Sequence, residues 1–234
     1  DLAVIKPEYV QHIEAGIKTT PAPGSTLNLT IYNTGIKDYQ AQVQTAEPGV
    51  NRGYLANAEK VRIRGAELEG SSRIGRHFSV GGGVAYTEGI YVSFKNAPVP
   101  LEETGAPSAY KDISGGDLPG ISKWAVSLNG EYSTPASFFG NPSRFFIAAD
   151  GYYRSAFSSS ASPSIYMNID GYALLNARVG FRTAKKGFSA FVWGRNLLNK
   201  NYFEQLLPAS GGSGYYAAVL GDPATYGITL RYAL

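Results

Sequence analysis

The sequence predicts an all-β fold: a transmembrane antiparallel up-and-down β-barrel, present in part. Three observations carry this expectation. Apolar residues recur at every second position in segments about ten residues long. Among 234 residues there are 17 Tyr, 11 Phe and 28 Gly, beside a single Met and no Cys. The connections between the segments alternate between short and long along the whole chain.

Each observation excludes something. Tyr and Phe suit pleated surfaces and membrane interfaces, whereas a helical soluble enzyme of this size carries more Met, Leu and Glu. No stretch approaches the roughly 18 consecutive apolar residues of a spanning helix. The absence of Cys removes disulfides and thiolate metal sites. A net charge of +3 with basic residues scattered as Arg62, Arg64, Arg73 and Arg76 leaves no footprint for nucleic acid.

The period-two segments place strands near residues 9–19, 25–40, 58–72, 77–92, 122–134, 144–155, 167–182, 188–198 and 225–234. The side chains expected to face lipid are Leu27, Leu29, Ile31, Phe78, Val80, Val84, Trp124, Val126, Leu128, Leu175, Val179, Phe181, Ile228, Leu230 and Tyr232. Between them stand small or polar residues such as Asn28, Thr30, Ser127, Asn129, Asn176 and Thr229. A soluble sandwich alternates in the same way, so alternation alone does not decide.

The connections discriminate further. Short ones are expected at Thr20–Gly24, Ser72–Arg76, Pro135–Ser143 and Ala184–Gly187, and long ones from about Ala41 to Asn57, Lys95 to Ile121, Ala156 to Tyr166 and Asn199 to Ala224. Outer-membrane barrels have tight periplasmic turns at one rim and long loops at the other. If the last strand ends at the periplasmic rim, the first begins outside, and the strand count is odd. Single-chain bacterial barrels have even counts, and an open edge in hydrocarbon leaves backbone groups unsatisfied, so further strands are expected at both edges.

Within the third strand Val61 and Ile63 share one phase, whereas Ala66 and Leu68 share the other. A one-residue bulge at Gly65 would return Arg62, Arg64, Glu67 and Glu69 to one interior side; an ordinary Gly kink is the alternative. Gly81-Gly82-Gly83 is followed by no helix signal, so it marks close packing or curvature rather than a nucleotide loop. His12 and His77 have no metal or catalytic spacing and belong to the rim or wall.

Ordered motifs then point to a family. Lys6-Pro7-Glu8 with Ile13-Glu14-Ala15-Gly16-Ile17-Lys18, Ile31-Tyr32-Asn33-Thr34-Gly35-Ile36-Lys37-Asp38-Tyr39-Gln40, and Arg64-Gly65-Ala66-Glu67-Leu68-Glu69 are followed by Ala85-Tyr86-Thr87-Glu88-Gly89 and Leu118-Pro119-Gly120-Ile121-Ser122-Lys123-Trp124. Gly194-Arg195-Asn196-Leu197-Leu198-Asn199-Lys200-Asn201-Tyr202 and the segment Gly221 to Tyr232 complete the series. Singly weak but together in order, they resemble the carboxy-terminal half of a TonB-dependent receptor, a plugged 22-stranded outer-membrane transporter. The resemblance implies that residues 1–234 are about the last nine strands of such a barrel, with the plug domain absent from this chain. It implies uptake of a scarce bulky ligand of the siderophore, cobalamin or saccharide class. The implied partners are outer-membrane lipid, the remaining strands and plug, and the TonB complex acting through that plug; no cofactor, metal or catalytic residue is implied.

Ligand capture would fall to loop aromatics: Tyr54, Tyr91, Phe94, Tyr110, Phe157, Tyr166, Tyr202, Phe203, Tyr215 and Tyr216. Aromatics just above the membrane also form the interfacial girdle, which is the competing role for each. Arg62, Arg64, Glu67, Glu69, Glu131, Asp150, Arg154, Asn176, Arg178 and Arg231 would project inward, as plug contacts or as a structural charge network. An outer-membrane enzyme and a soluble β-sandwich binding module are the alternatives, although no catalytic spacing is present. Val126→Arg is expected to cost about 2–4 kcal/mol if Val126 lies near the bilayer midplane.

Overall fold

The computed structural model describes residues 4–44, 53–183, 187–209 and 214–232. Its strands in chain order are β1 (Tyr9–Thr19), β2 (Ser25–Gln44), β3 (Gly53–Ile74), β4 (Phe78–Ser93), β5 (Ala97–Pro98), β6 (Tyr110–Lys111), β7 (Trp124–Phe138), β8 (Asn141–Arg154), β9 (Phe157–Ser158), β10 (Asn168–Ile169), β11 (Tyr172–Thr183), β12 (Ser189–Arg195), β13 (Phe203–Pro208), β14 (Tyr216–Leu220) and β15 (Thr225–Arg231). One antiparallel sheet of nine strands runs β1-β2-β3-β4-β7-β8-β11-β12-β15, so each wall strand pairs with its neighbours along the chain. These are the nine segments of the period-two pattern. The other six strands form three small hairpins inside the long connections. β1 and β15 each pair on one side only within the described residues, as a partial barrel requires.

Tight turns follow from local chemistry. Between β7 and β8, Phe139 at φ 48 and Gly140 at φ 74 both take positive values, the geometry of a two-residue hairpin turn matched to strand twist. The Asn141 side-chain amide donates to the Phe139 carbonyl at 3.1 Å and secures it. The connection expected over Pro135–Ser143 is therefore much shorter than its sequence suggested, because β7 runs to Phe138 and β8 starts at Asn141. β2 and β3 likewise extend into the connection expected from Ala41 to Asn57. Residues 45–52 of that connection, and Ala184–Lys186 of the turn expected at Ala184–Gly187, lie outside the described residues.

Register assigns the two faces. One row reads Ile17, Leu29, Leu68, Val84, Val126 and Tyr153 across six strands. The lipid-facing set from Leu27 to Leu230 shares that face, and Tyr232 continues its alternation beyond β15. Leu128, Ile228 and Leu230 are 63%, 74% and 69% exposed, a loss in water that a hydrocarbon surround removes. The opposite row reads Asn28, Glu69, Gly83, Ser127 and Tyr152, and suits a polar lumen.

Two expectations are corrected here. No bulge occurs at Gly65: β2 and β3 pair in unbroken register through Tyr32 opposite Gly65, and the irregularity between β3 and β4 lies at Lys60/Val61. Gly65 instead makes room for an aromatic ring. A side chain there would strike the Tyr86 carbonyl and stand 2.6 Å from the Tyr32 hydroxyl, which crosses the strand to bond Thr87 Oγ1 at 2.8 Å. Without a bulge, Arg62 and Arg64 share the outer face with Ala66 and Leu68, while Glu67 and Glu69 face inward. The physical reason is length: these long strands rise past the apolar rows, and above them the outer face turns polar.

Candidate functional site

Buried side chains gather at the loop end of the wall. Tyr91 and Phe94, at the end of β4 and just after it, pack with Ala97, Ile113 and Leu118 of the following connection onto Ala41, Val43, Ala58 and Val61 of β2 and β3. A second cluster joins Phe157, Met167, Ile169 and Tyr172 to Leu206 of the last long connection. The Tyr202 ring lies 4.4 Å from that of Tyr172. These connections are thus folded down as packed layers.

Polar clamps join them. Glu102 accepts hydrogen bonds from the Ile165 backbone N–H at 3.0 Å, from Ser164 Oγ at 3.2 Å and from the Tyr216 hydroxyl, so one carboxylate ties three connections together. The Leu206 N–H donates to Ser159 Oγ at 3.3 Å. Arg154 donates to Ser122 Oγ at 2.9 Å and to the Gly120 carbonyl at 3.1 Å, with its guanidinium 3.6 Å over the Phe157 ring.

Burial pushes the Glu102 carboxyl up, but the hydrogen bonds from Tyr216, Ser164 and Ile165 outweigh it and hold the group below its ordinary 4.5. A depressed carboxyl stabilises its ionised arrangement above the unfolded value and loses that contribution as pH falls through the folded one. Hydrogen-exchange protection of residues 155–171, corrected for intrinsic rate, is therefore expected to fall as the pH drops below about 4.5. Glu102→Gln should lower protection at neutral pH and abolish the pH dependence; an unchanged profile would contradict the clamp.

Between these layers lies a cavity of about 430 Å³, within the usual range for small-molecule sites. Tyr39, Ala41, Gln42 and Val43 of β2 form one wall, with Tyr91 beside them. Val99, Pro100 and Leu101 add a second, Ser159 to Ser162 with Ser164 and Met167 a third, and Gln205 to Pro208 with Tyr216 a fourth. No charged side chain is among the described lining residues. Such a surface combines apolar contact with hydroxyl and amide hydrogen bonding.

Of the aromatics expected in the loops, only Tyr91 and Tyr216 line this cavity. Tyr91 and Phe94 are 1% and 2% exposed and act mainly as packing. Phe157 is buried under Arg154, and Tyr202 fills the space above Gly221. Tyr166 packs at a tilt against Tyr216 with centroids 5.6 Å apart. Tyr54, Tyr110, Phe203 and Tyr215 stay exposed outside the cavity. Tyr39, Glu102 and the serines of 159–164 were not anticipated. The run Ser155-Ala156-Phe157-Ser158-Ser159-Ser160-Ala161-Ser162-Pro163-Ser164 was their only signal, and it reads as plain loop composition.

Among the inward residues, Glu131 pairs with Arg182 at 2.6 Å across β8, and Asn176 donates to Asp150 at 2.7 Å. Arg231 lies over the Phe191 ring at 5.6 Å. Glu67, Glu69 and Arg178 stand on this face without an ion pair among the described residues.

Comparison with known proteins follows the same lines. The ferric yersiniabactin uptake receptor FyuA of Yersinia pestis superposes with a TM-score of 0.71 at 17% identity, over 96% of this chain and 30% of that one. The ferric-catecholate import receptor Fiu of E. coli K12 gives 0.65 at 19% identity, over 97% and 27%. The copper transporter OprC gives 0.68 at 15%, over 97% and 32%. The chain thus spans less than a third of the length of these structures. The model of the TonB dependent receptor-like beta-barrel family matches residues 2–197, and with the meander of nine strands this shows that the chain belongs to that family.

Proposed function

We propose that the chain forms the last nine strands and the outer loops of an outer-membrane receptor that takes up a scarce bulky ligand of the siderophore, cobalamin or saccharide class. The plug and remaining strands come from outside these residues, and the inner-membrane TonB complex acts through that plug. The observation that supports this reading best is the loop cavity, where segments distant in sequence converge on one uncharged, hydroxyl-rich and aromatic surface. Siderophore uptake in structurally similar receptors is consistent with it.

The test is accumulation of labelled ligands by cells carrying the complete receptor, with and without a protonophore. One ligand of these classes should accumulate only in energised cells. Ser162→Trp, which fills the cavity, should reduce that accumulation about tenfold or more, equivalent to roughly 1.4 kcal/mol of binding, at unchanged receptor level. Energy-independent entry of every ligand would refute the transport reading, and full uptake by the variant would refute the site.

A further inference from the structure

With Arg62 and Arg64 on its outer face, the wall carries a pattern of charge. Successive rows across β1, β2, β3 and β4 read Ala15, Ile31, Ala66 and Tyr86, then Ile13, Asn33, Arg64 and Glu88, then Gln11, Gly35, Arg62 and Ile90, then Tyr9, Lys37, Lys60 and Ser93. The first row is the upper edge of the apolar belt. It ends in an aromatic pair, Tyr86 and Trp124, with ring centroids 4.9 Å apart, as expected at a membrane interface. Rows two residues apart rise by about 7 Å along a strand, so Arg64, Arg62 and Lys60 lie roughly 7–20 Å beyond that edge, on the side of the long loops.

Of four cations there, two share one carboxylate. Glu88 accepts from Arg64 Nε at 2.6 Å and from Arg62 Nη2 at 3.4 Å. Lys37 and Lys60 are exposed, stand directly opposite each other and have no carboxylate partner among the described residues. The neighbouring Asp38 is engaged by Lys6 at 3.9 Å. Like charges directly opposed on a sheet are destabilising, and the Arg62 Nε is buried without an acceptor. An external anion would offset the opposed lysine charges, which are the exposed part of this cluster.

We infer that this face binds the phosphate groups of an anionic glycolipid in the outer leaflet. The occupant is lipid-borne rather than free because the cations sit on the lipid-facing side, one to three rows above an interfacial aromatic pair, where headgroups lie. The inference rests on the membrane placement of the wall and is independent of the cavity and its ligand. The arginines hold the two rows nearest the acyl chains, and the lysine pair meets phosphates farther out.

The experiment uses the complete receptor in neutral detergent, with the diphosphorylated lipid anchor of lipopolysaccharide as probe, its dephosphorylated form as comparison and inorganic phosphate as competitor. Native mass spectrometry and titration should show about tenfold or stronger preference for the phosphorylated lipid, weakening with salt. The variant Lys37→Gln with Lys60→Gln leaves the Arg–Glu88 bridges intact and should lose about tenfold in affinity. Ligand uptake in detergent-free cells serves as the folding control and should persist in that variant. Equal binding of both lipid forms, or unchanged affinity in the variant, would overturn the inference. Displacement by inorganic phosphate at equal concentration would overturn the assignment to lipid.

Discussion

Leu128→Arg is expected to destabilise the wall in a bilayer by about 2–4 kcal/mol, the cost of a cation on the lipid face near the midplane. On β7 the apolar face runs through Trp124, Val126, Leu128, Gly130 and Tyr132, and its rows end in Tyr86–Trp124 at one edge and Phe78–Tyr132 at the other. Leu128 is the central position between those aromatic edges. Val126 is one row nearer the outer edge, so Val126→Arg should cost less than Leu128→Arg, since the side chain can reach the interface. Ser127→Arg points to the opposite face, beside Glu69 across Gly83, and is expected to change stability little. Denaturant titration of the complete receptor in vesicles measures all three. An order other than Leu128, Val126, Ser127 would contradict the assignment of faces.

The wall was legible because its physics is local. A strand wetted by lipid on one side and water on the other must alternate, and segments such as Leu27-Asn28-Leu29-Thr30-Ile31 carry that rule in five residues. A rule about charge, that ionised groups face the lumen, misplaces Arg62 and Arg64, because strand parity overrides it. β3 runs on past the apolar rows, and there its outer face carries Arg62 and Arg64. The loop cavity was not legible, since its walls come from positions more than a hundred residues apart, as Tyr39 and Tyr216 show. Aromatic content marks Tyr91 and Phe94 as ligand candidates; the strand end that carries them turns both under the following connection, where Phe94 is buried in packing and Tyr91 still lines the cavity.

Gly65→Ala carries the second large effect and tests the part that sequence misjudged. Were Gly65 a bulge or simple kink, a methyl group would be tolerated at modest cost. The register instead places residue 65 under the Tyr32 ring and against the backbone of β4, so the added carbon meets the Tyr86 carbonyl, which moves only if the strand moves. Overpacking of this kind costs about 1–3 kcal/mol, and the backbone contact puts Gly65→Ala near the upper end. Tyr32→Phe alone should cost about 1 kcal/mol through loss of the hydroxyl bond to Thr87. Because the added methyl also crowds that hydroxyl, at 2.6 Å, the double variant should be less destabilised than the sum of the two. Strict additivity would mean that the Tyr32 ring does not lie over Gly65, and a neutral Gly65→Ala would restore the bulge as the better account of this strand.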